Sequence, residues 1–355
     1  MSNQPLLIDT DVHNGIKSPR DLLPYLSKVW HSQWLASGTG LGQPYYSPVG
    51  VLRQDAVPDD GSTSGSDPHF MVKDHVERFG FDYIVLTGQS ILELSLHPDI
   101  DYANAVVSAY NDYLIEQWLT VDKRFKAAMV INHSDPHHAV KEIERIGLHP
   151  DIVEVIMCSA ANKLYGHRVY HPIYEACANM NLPIAIHPGT EGRGQTGAPT
   201  ASGYPSRYME WHNILPTNYM AHVNSLVCEG VFEKFPELKV VAIEGGIAWL
   251  THLMWRMDKN YKALRDTTPW LRKMPSDYIR EHVFLTTQPI EEPENPQHLV
   301  DIIKMCRAES QILFSSDYPH WDFDHPKLAL RSFPKDLKQA IMGDNAAKLY
   351  GLTRV

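Results

Sequence analysis

Eight short apolar runs, each followed by an amphipathic or irregular stretch, set the rhythm of this chain and limit what it can fold into. They are "LLIDTDVH" (6–13), "FDYIVLTG" (81–88), "FKAAMVINH" (125–133), "IVEVIMCSA" (152–160), "LPIAIHPG" (182–189), "LKVVAIEGG" (238–246), "HVFLTTQP" (282–289) and "ILFSSDYP" (312–319). Near-continuous Val, Ile, Leu and Ala mark strands covered on both faces, as parallel sheets require. The stretch "YANAVVSAYNDYLIEQWL" (102–119) places Ala105, Val106, Ala109, Tyr113, Leu114 and Trp118 at helical spacing. "DPHHAVKEIERI" (135–146) opens with Asp135 as N-cap and Pro136 at the first helical position. Segments 171–180, 217–235, 248–264, 296–306 and 334–351 follow the same pattern. Strand and helix alternating in this way predict one (β/α)8 TIM-like barrel over residues 1–355. An open doubly wound sheet is the alternative, but its Gly-rich phosphate loop is missing after the first run.

The bulk numbers suit a single enzyme-sized domain. With 355 residues and 43% hydrophobic content there is ample core, and no repeat or linker divides the chain. A net charge of -10 argues against a nucleic-acid binder, which needs a basic surface to neutralise phosphates. Cys158, Cys177, Cys228 and Cys306 show no CxxC spacing and read as reduced thiols of a cytoplasmic protein. The N-terminus "MSNQPLLIDTDVH" lacks the features of a signal peptide, and no run approaches the ~18 apolar residues of a membrane span.

Two segments break the rhythm. Residues 14–73, dense in Gly, Ser, Pro and Asp, follow the first strand without a clear helix, and 189–211 follow the fifth. Insertions of this length are usually functional. Lying after strands, they fall over the barrel's C-terminal face, and 14–73 reads as a lid or an oligomer arm. Trp30, Trp34, Tyr45, Tyr46, Tyr204, Tyr208, Trp211 and Trp321 stand in or near them, to line a substrate pocket or to pack between subunits.

Reactive groups of such barrels cluster at the C-terminal strand ends. The first run offers Asp11 and His13, two apart and so on one face; the fifth offers His187, the sixth Glu244, and the eighth Asp317 with His320 three residues on. Three imidazoles and three carboxylates at one rim form a set for zinc, manganese or iron. Two ionisable groups on an inward strand face are costly without a partner, which favours Asp11 and His13 as ligands. His133, at the third strand's end, and Asp9, deeper on the first, read as hydrogen-bonded structure.

The motifs "IDTDVH", "AIHPG", "AIEGG" and "SSDYPHWD", with the lead-in "GVFEKFPELKVVAIEGG", resemble the amidohydrolase superfamily, in its branch of aminocarboxymuconate-semialdehyde and resorcylate-type decarboxylases. The resemblance runs over essentially the whole chain. It implies one metal on Asp11, His13, His187 and Asp317, and self-association or a complex with a related subunit. Two positions depart from it. Asp11 and Glu244 are acids where the family usually has histidines.

Two mechanisms remain open at this stage, with a non-catalytic supporting subunit as a third reading. In the first, a mononuclear enzyme hydrolyses or nonoxidatively decarboxylates a small organic acid or amide, with Glu244 and Asp317 as catalytic groups. In the second, Glu244 and His320 hold a second ion of a dinuclear iron or manganese oxygenase. Arg53 and Arg193, on the two insertions, are candidates to bind a substrate carboxylate, since Arg offers a two-pronged donor.

Overall fold

The computed structural model describes residues 5–47 and 50–354; the first four residues of the N-terminus, Pro48 and Val49 in the first insertion, and Val355 lie outside the described part. Eight strands form one sheet: β1 (Ile8–Val12), β2 (Tyr83–Leu86), β3 (Phe125–Val130), β4 (Ile152–Cys158), β5 (Ile184–His187), β6 (Val240–Ala242), β7 (Val283–Thr286) and β8 (Ile312–Leu313). Each pairs in parallel with the next, in the order β1 to β8. Backbone bonds draw β8 back to β1: Thr10 N–H donates to Phe314 at 3.0 Å, Asp317 N–H to Asp11 at 3.1 Å, and His13 N–H to Tyr318 at 2.7 Å. The sheet is thereby a nearly closed (β/α)8 barrel.

Every residue of β1, β3 and β4 is buried, the polar Asp9, Thr10, Asp11, Lys126 and Glu154 included, as fits a sheet covered on both faces. Burial of each such aliphatic side chain contributes roughly 1.5–3 kcal/mol. Helices cover the outside. Pro136–Ile146 starts where Asp135 accepts from His138 N–H at 3.2 Å, and Ile100–Leu114 where Asp99 accepts from Tyr102 N–H at 3.0 Å. The strands are shorter than the runs that announced them. The sixth run spans 238–246, yet β6 ends at Ala242; the eighth spans 312–319, yet β8 ends at Leu313. Beyond those ends the chain breaks from the ladder and carries the polar groups.

The insertion 14–73, expected without a clear helix, contains His31–Ser37 and the short Pro68–Met71. Asp67 caps the latter by accepting from His69 and Phe70 N–H groups, and Trp34 pins the former by donating to Pro19 O at 2.6 Å. The insertion returns to the barrel at Gly65, whose carbonyl accepts from Gly15 N–H at 2.8 Å. Only glycine fits there: φ is +77°, and a Cβ would lie 2.7 Å from the His13 carbonyl oxygen.

Candidate metal centre

Asp11 and His13 leave the end of β1 on one inward face, as period-two geometry requires. His187 is the last residue of β5. Glu244 and Asp317 lie past β6 and β8, at φ of 57° and 58°, the left-handed region that costs a residue with a Cβ. Such strain concentrates at functional sites, where surrounding structure holds it in place. His320 follows on the loop after β8.

These six side chains converge. Donor atoms of Asp11, His13, His187 and Glu244 all lie within 4.8 Å of one another, as do those of His13, Glu244, Asp317 and His320. His13 Nε2 is 2.9 Å from Asp317 Oδ1 and 3.7 Å from both Asp11 Oδ1 and Glu244 Oε1. His187 Nε2 lies 3.6 Å from Glu244 Oε1, and His320 Nδ1 2.6 Å from Asp317 Oδ1.

The outer atoms of the cluster are spoken for, and the inner ones are not. His13 Nδ1–H donates to Gly88 O at 2.5 Å, and His187 Nδ1–H donates to Pro188 O at 2.9 Å. Both bonds select the tautomer whose Nε2 lone pair faces inward. Thr87 donates to Asp11 Oδ1 at 2.7 Å. Asp11 Oδ2, His13 Nε2, His187 Nε2, Glu244 Oε1 and Asp317 Oδ1 are buried without a hydrogen-bond partner. Orphaned polar atoms are rare in folded proteins, and five at one point fit a divalent cation. Electrostatics agree. Burial opposes charge on His13, but Asp11, Asp317 and Glu244 outweigh it and raise its pKa well above the ordinary value. Burial opposes the charge of Glu244 also, yet His187, His13 and His320 hold its pKa well below the usual range. Burial and the neighbouring Glu244 push Asp317 up to about 7.

Above the cluster opens a cavity of about 190 Å³, walled by Tyr45, Leu92, Arg193, Tyr208, Trp211 and His212 among others. A second cavity of about 610 Å³ shares Val51, Gln89 and Ser90 with it. Arg193 reaches the first cavity, ion-paired to the buried Glu93, and its Nε has no partner. Arg53 does not. Asp55, two residues on, takes its guanidinium at 2.5 Å, and its other face stacks over Phe323 at 4.4 Å. Local pairing therefore removes Arg53 from the substrate wall. Accordingly, Arg193→Ala is expected to raise KM for an acidic substrate about tenfold with kcat changed less than about threefold, while Arg53→Ala leaves both within about twofold in steady-state kinetics.

His133 and Asp9 behave as structure. Burial pushes His133 down to about 3, so it stays neutral, edge-on to Tyr165. Asp9 accepts from His75 Nε2 at 2.8 Å, Ser316 Oγ at 2.5 Å and Ser316 N–H at 2.9 Å. Missed from sequence were Thr87 and Gly88, which orient ligands, and the pair His212 and Asp322, with Nε2 3.2 Å from Oδ2. Thr87 and Gly88 close the second apolar run and Asp322 closes the stretch 315–322, but only tertiary contact gives each its partner.

Glu154 of β4 is fully buried and accepts from Tyr350 OH at 2.8 Å. Burial pushes its carboxyl up to about 8, against the Tyr350 hydrogen bond and with help from Asp11. A carboxyl whose pKa is higher folded than unfolded stabilises fully below the unfolded value of about 4.3, and this is lost as pH rises through about 8. Glu154→Gln is expected to remove that loss. In urea titrations its advantage over the parent protein should grow from about pH 5 to pH 8; a constant difference would contradict this account.

Comparison with known proteins agrees with the geometry. The amidohydrolase family profile matches residues 74–352, and the chain belongs to that family. Its relatives are carboxy-lyases. It is 28% identical to the γ-resorcylate decarboxylase of Polaromonas sp. over 274 residues, 72% of this chain and 79% of that one. It is 22% identical to the 2-amino-3-carboxymuconate-6-semialdehyde decarboxylase of Dictyostelium discoideum over 251 residues, 68% of this chain and 65% of that one. The fold matches the crystal structure of the dihydroxybenzoic acid decarboxylase of Polaromonas sp. JS666 with bound manganese and 2-nitroresorcinol. That superposition has a TM-score of 0.67 and 20% identity, covering 99% of this chain and 98% of the other. Among the described residues no helix is long and apolar enough to cross a membrane.

Proposed function

We propose that this protein is a metal-dependent carboxy-lyase that removes carbon dioxide from a small aromatic acid without oxidation. The observation that carries the reading is the convergence of five unpartnered buried ligand atoms on the floor of an aromatic-walled cavity. The decarboxylases among its relatives and the manganese of a structural neighbour support it. Asp11, His13, His187 and Asp317 hold the ion, which is manganese, zinc or iron. When bound, it supplies a Lewis acid that fixes and polarises the substrate's oxygens. Arg193, anchored by Glu93, grips the carboxylate. Tyr45 and Trp211, stacked with centroids 5.0 Å apart, exclude water beside the ring. The second cavity leaves room for a ring substituent. Hydrolysis of a C–N or C–O bond is the related chemistry this site also supports.

The 14–73 insertion acts as the lid in this reading, since its Gln43, Tyr45 and Val51 line the cavity. Self-association, or pairing with a related subunit, uses the aromatic side chains exposed beside it, Tyr46, Tyr204 and Trp321. A cytoplasmic site suits the four free cysteines.

One observation favours a second reading. Glu244 and His13 belong to both four-residue sets, so Glu244 and His320 have the geometry to hold a second ion, as a dinuclear oxygenase would need. The deciding experiment supplies manganese-loaded protein with 2,6-dihydroxybenzoate under argon. The carboxy-lyase reading predicts equal amounts of carbon dioxide and resorcinol, abolished by a chelator. Turnover that demands dioxygen and a reductant would establish the second reading instead.

A further inference from the structure

The two cavities at the barrel mouth share a wall at Val51, Gln89 and Ser90, yet their chemistry differs. The smaller one, of about 190 Å³, is lined by Glu93, Arg193, Glu244, Asp317 and four imidazoles. The larger one, of about 610 Å³, carries no charge: among the described residues no Asp, Glu, Lys, Arg or His lines it. Its titratable group is the Tyr110 phenol, which burial raises and so keeps neutral. Ile16, Pro19, Trp34, Leu52 and Ile91 give it apolar walls.

Two buried polar side chains in this second lining have bonding capacity to spare. Asn14 Oδ1 accepts from Gly88 N–H at 3.0 Å and from Tyr110 OH at 3.3 Å. Those bonds fix the amide, and among the described residues its Nδ2 donors have no partner. Nor has the Ser66 hydroxyl. Gly15 holds the two residues on one side of the cavity. Its N–H donates to Gly65 O at 2.8 Å, and a Cβ on it would stand 3.9 Å from Ser66 Cβ and 3.4 Å from Gln89 Oε1. Asn14 and Ser66 thus sit on the two stems of the first insertion, and Asn14 is next in sequence to His13. Buried donors are rarely left unmade. An amide N–H and a hydroxyl hold no cation; the partner they lack is an uncharged acceptor oxygen.

We infer that the substrate is an aromatic acid carrying an uncharged side arm with an acceptor oxygen, such as an ether, and that Asn14 and Ser66 select this arm in the second cavity. The carboxylate and ring stay over the ligand cluster, and the arm passes the common wall at Val51 and Gln89. A charged arm is rejected, because it would lose its water where no countercharge meets it. A hydrocarbon arm fills the apolar walls but strands both donors, and a site built to hydrogen-bond its substrate discriminates against the analogue that lacks the partner.

This inference rests on the carboxy-lyase reading for the acid end of the substrate, and the test separates the two. Manganese-loaded parent, Ser66→Ala and Ile16→Trp proteins are compared on 2,6-dihydroxybenzoate and on its derivatives with a 2-methoxyethoxy, butoxy or carboxymethoxy arm at ring carbon C3 or C4. Carbon dioxide release gives kcat/KM, and calorimetry gives affinity, with 2-nitroresorcinol as competitor. In the parent, one 2-methoxyethoxy isomer should exceed the unsubstituted acid about tenfold in both readouts, its butoxy counterpart about fivefold and its carboxymethoxy counterpart about 10²-fold. Nitroresorcinol should displace every one of these acids, since the rings share the first cavity. Ser66→Ala should bring the methoxyethoxy-to-butoxy ratio within about twofold, and Ile16→Trp, which fills the cavity, should abolish the advantage over the unsubstituted acid. Ratios within one protein cancel any loss of folded fraction. If Ile16→Trp does not fold, the Ser66→Ala ratio decides. Armed acids no better than 2,6-dihydroxybenzoate, a carboxymethoxy arm as good as methoxyethoxy, or ratios unmoved by the variants overturn the inference while carbon dioxide release keeps the carboxy-lyase reading intact. An armed acid that binds alongside nitroresorcinol makes the cavity a separate site and overturns it equally. If no acid releases carbon dioxide, the carboxy-lyase reading ends; the affinities still decide the arm, and without the methoxyethoxy preference it falls as well.

Discussion

His13→Ala should empty the metal centre and cut turnover by at least about 10³-fold, or about 4 kcal/mol of transition-state stabilisation. With Glu244, His13 belongs to both sets of convergent atoms, and it is the one imidazole that does. Its Nε2 stands within 3.7 Å of carboxylate oxygens from Asp11, Glu244 and Asp317. Its other nitrogen is fixed by Gly88 O, so no neighbour can rotate into the role. Removing it leaves three carboxylates facing one another with less positive charge between them, and burial then forces protons onto them. His320→Ala provides the contrast. It spares the set Asp11, His13, His187 and Glu244, so most of the metal should remain. Elemental analysis after dialysis reads both outcomes. Stoichiometric metal in the His13→Ala protein would contradict the assignment.

Asp9→Ala is the substitution expected to cost most in stability without touching the cavity. Asp9 is wholly buried and ties β1 to the loop after β8 and to His75, just past the first insertion. Its removal strands the Ser316 N–H and hydroxyl and the His75 ring, while His75 lies stacked against Tyr318 at 4.5 Å and cannot turn to water. Stranding a buried hydrogen-bonding group costs roughly 1–3 kcal/mol, so losing the acceptor shared by Ser316 and His75 is expected to cost roughly 3–5 kcal/mol. Urea unfolding should show a loss of that size, with Asp9→Asn intermediate because it keeps part of the hydrogen bonding. A loss below about 1 kcal/mol, the worth of a typical exposed pair, would place Asp9 outside the structural core.

The barrel was legible because parallel strands buried on both faces read as short, mostly apolar runs, as in β3 and β4. Asp11, His13 and His187 were legible for the same reason, as ligand-type groups at the ends of such runs. Glu244 and Asp317 were found as run-end residues, but their left-handed backbone was not foreseeable, since nothing in the composition of a run tells where the ladder breaks. Arg53 was misjudged because its fate turns on a local competitor, Asp55, that pairs with it before any substrate can. His212 was invisible among 19 histidines. It lies on a five-residue helix with no periodic signal, and its partner Asp322 is more than a hundred residues away in sequence. Tertiary contact alone makes that pair. The helix Pro275–His282 also escaped notice, since it is only eight residues long and buries just Pro275, Tyr278 and Ile279 as apolar side chains.

The central claim is that the six rim side chains form a metal centre, and anomalous scattering from manganese-loaded crystals tests it most directly. The account predicts a peak at the barrel mouth within about 2.0–2.3 Å of ligand atoms from Asp11, His13, His187 and Asp317. Crystals grown with excess manganese that show no peak among these residues would contradict it.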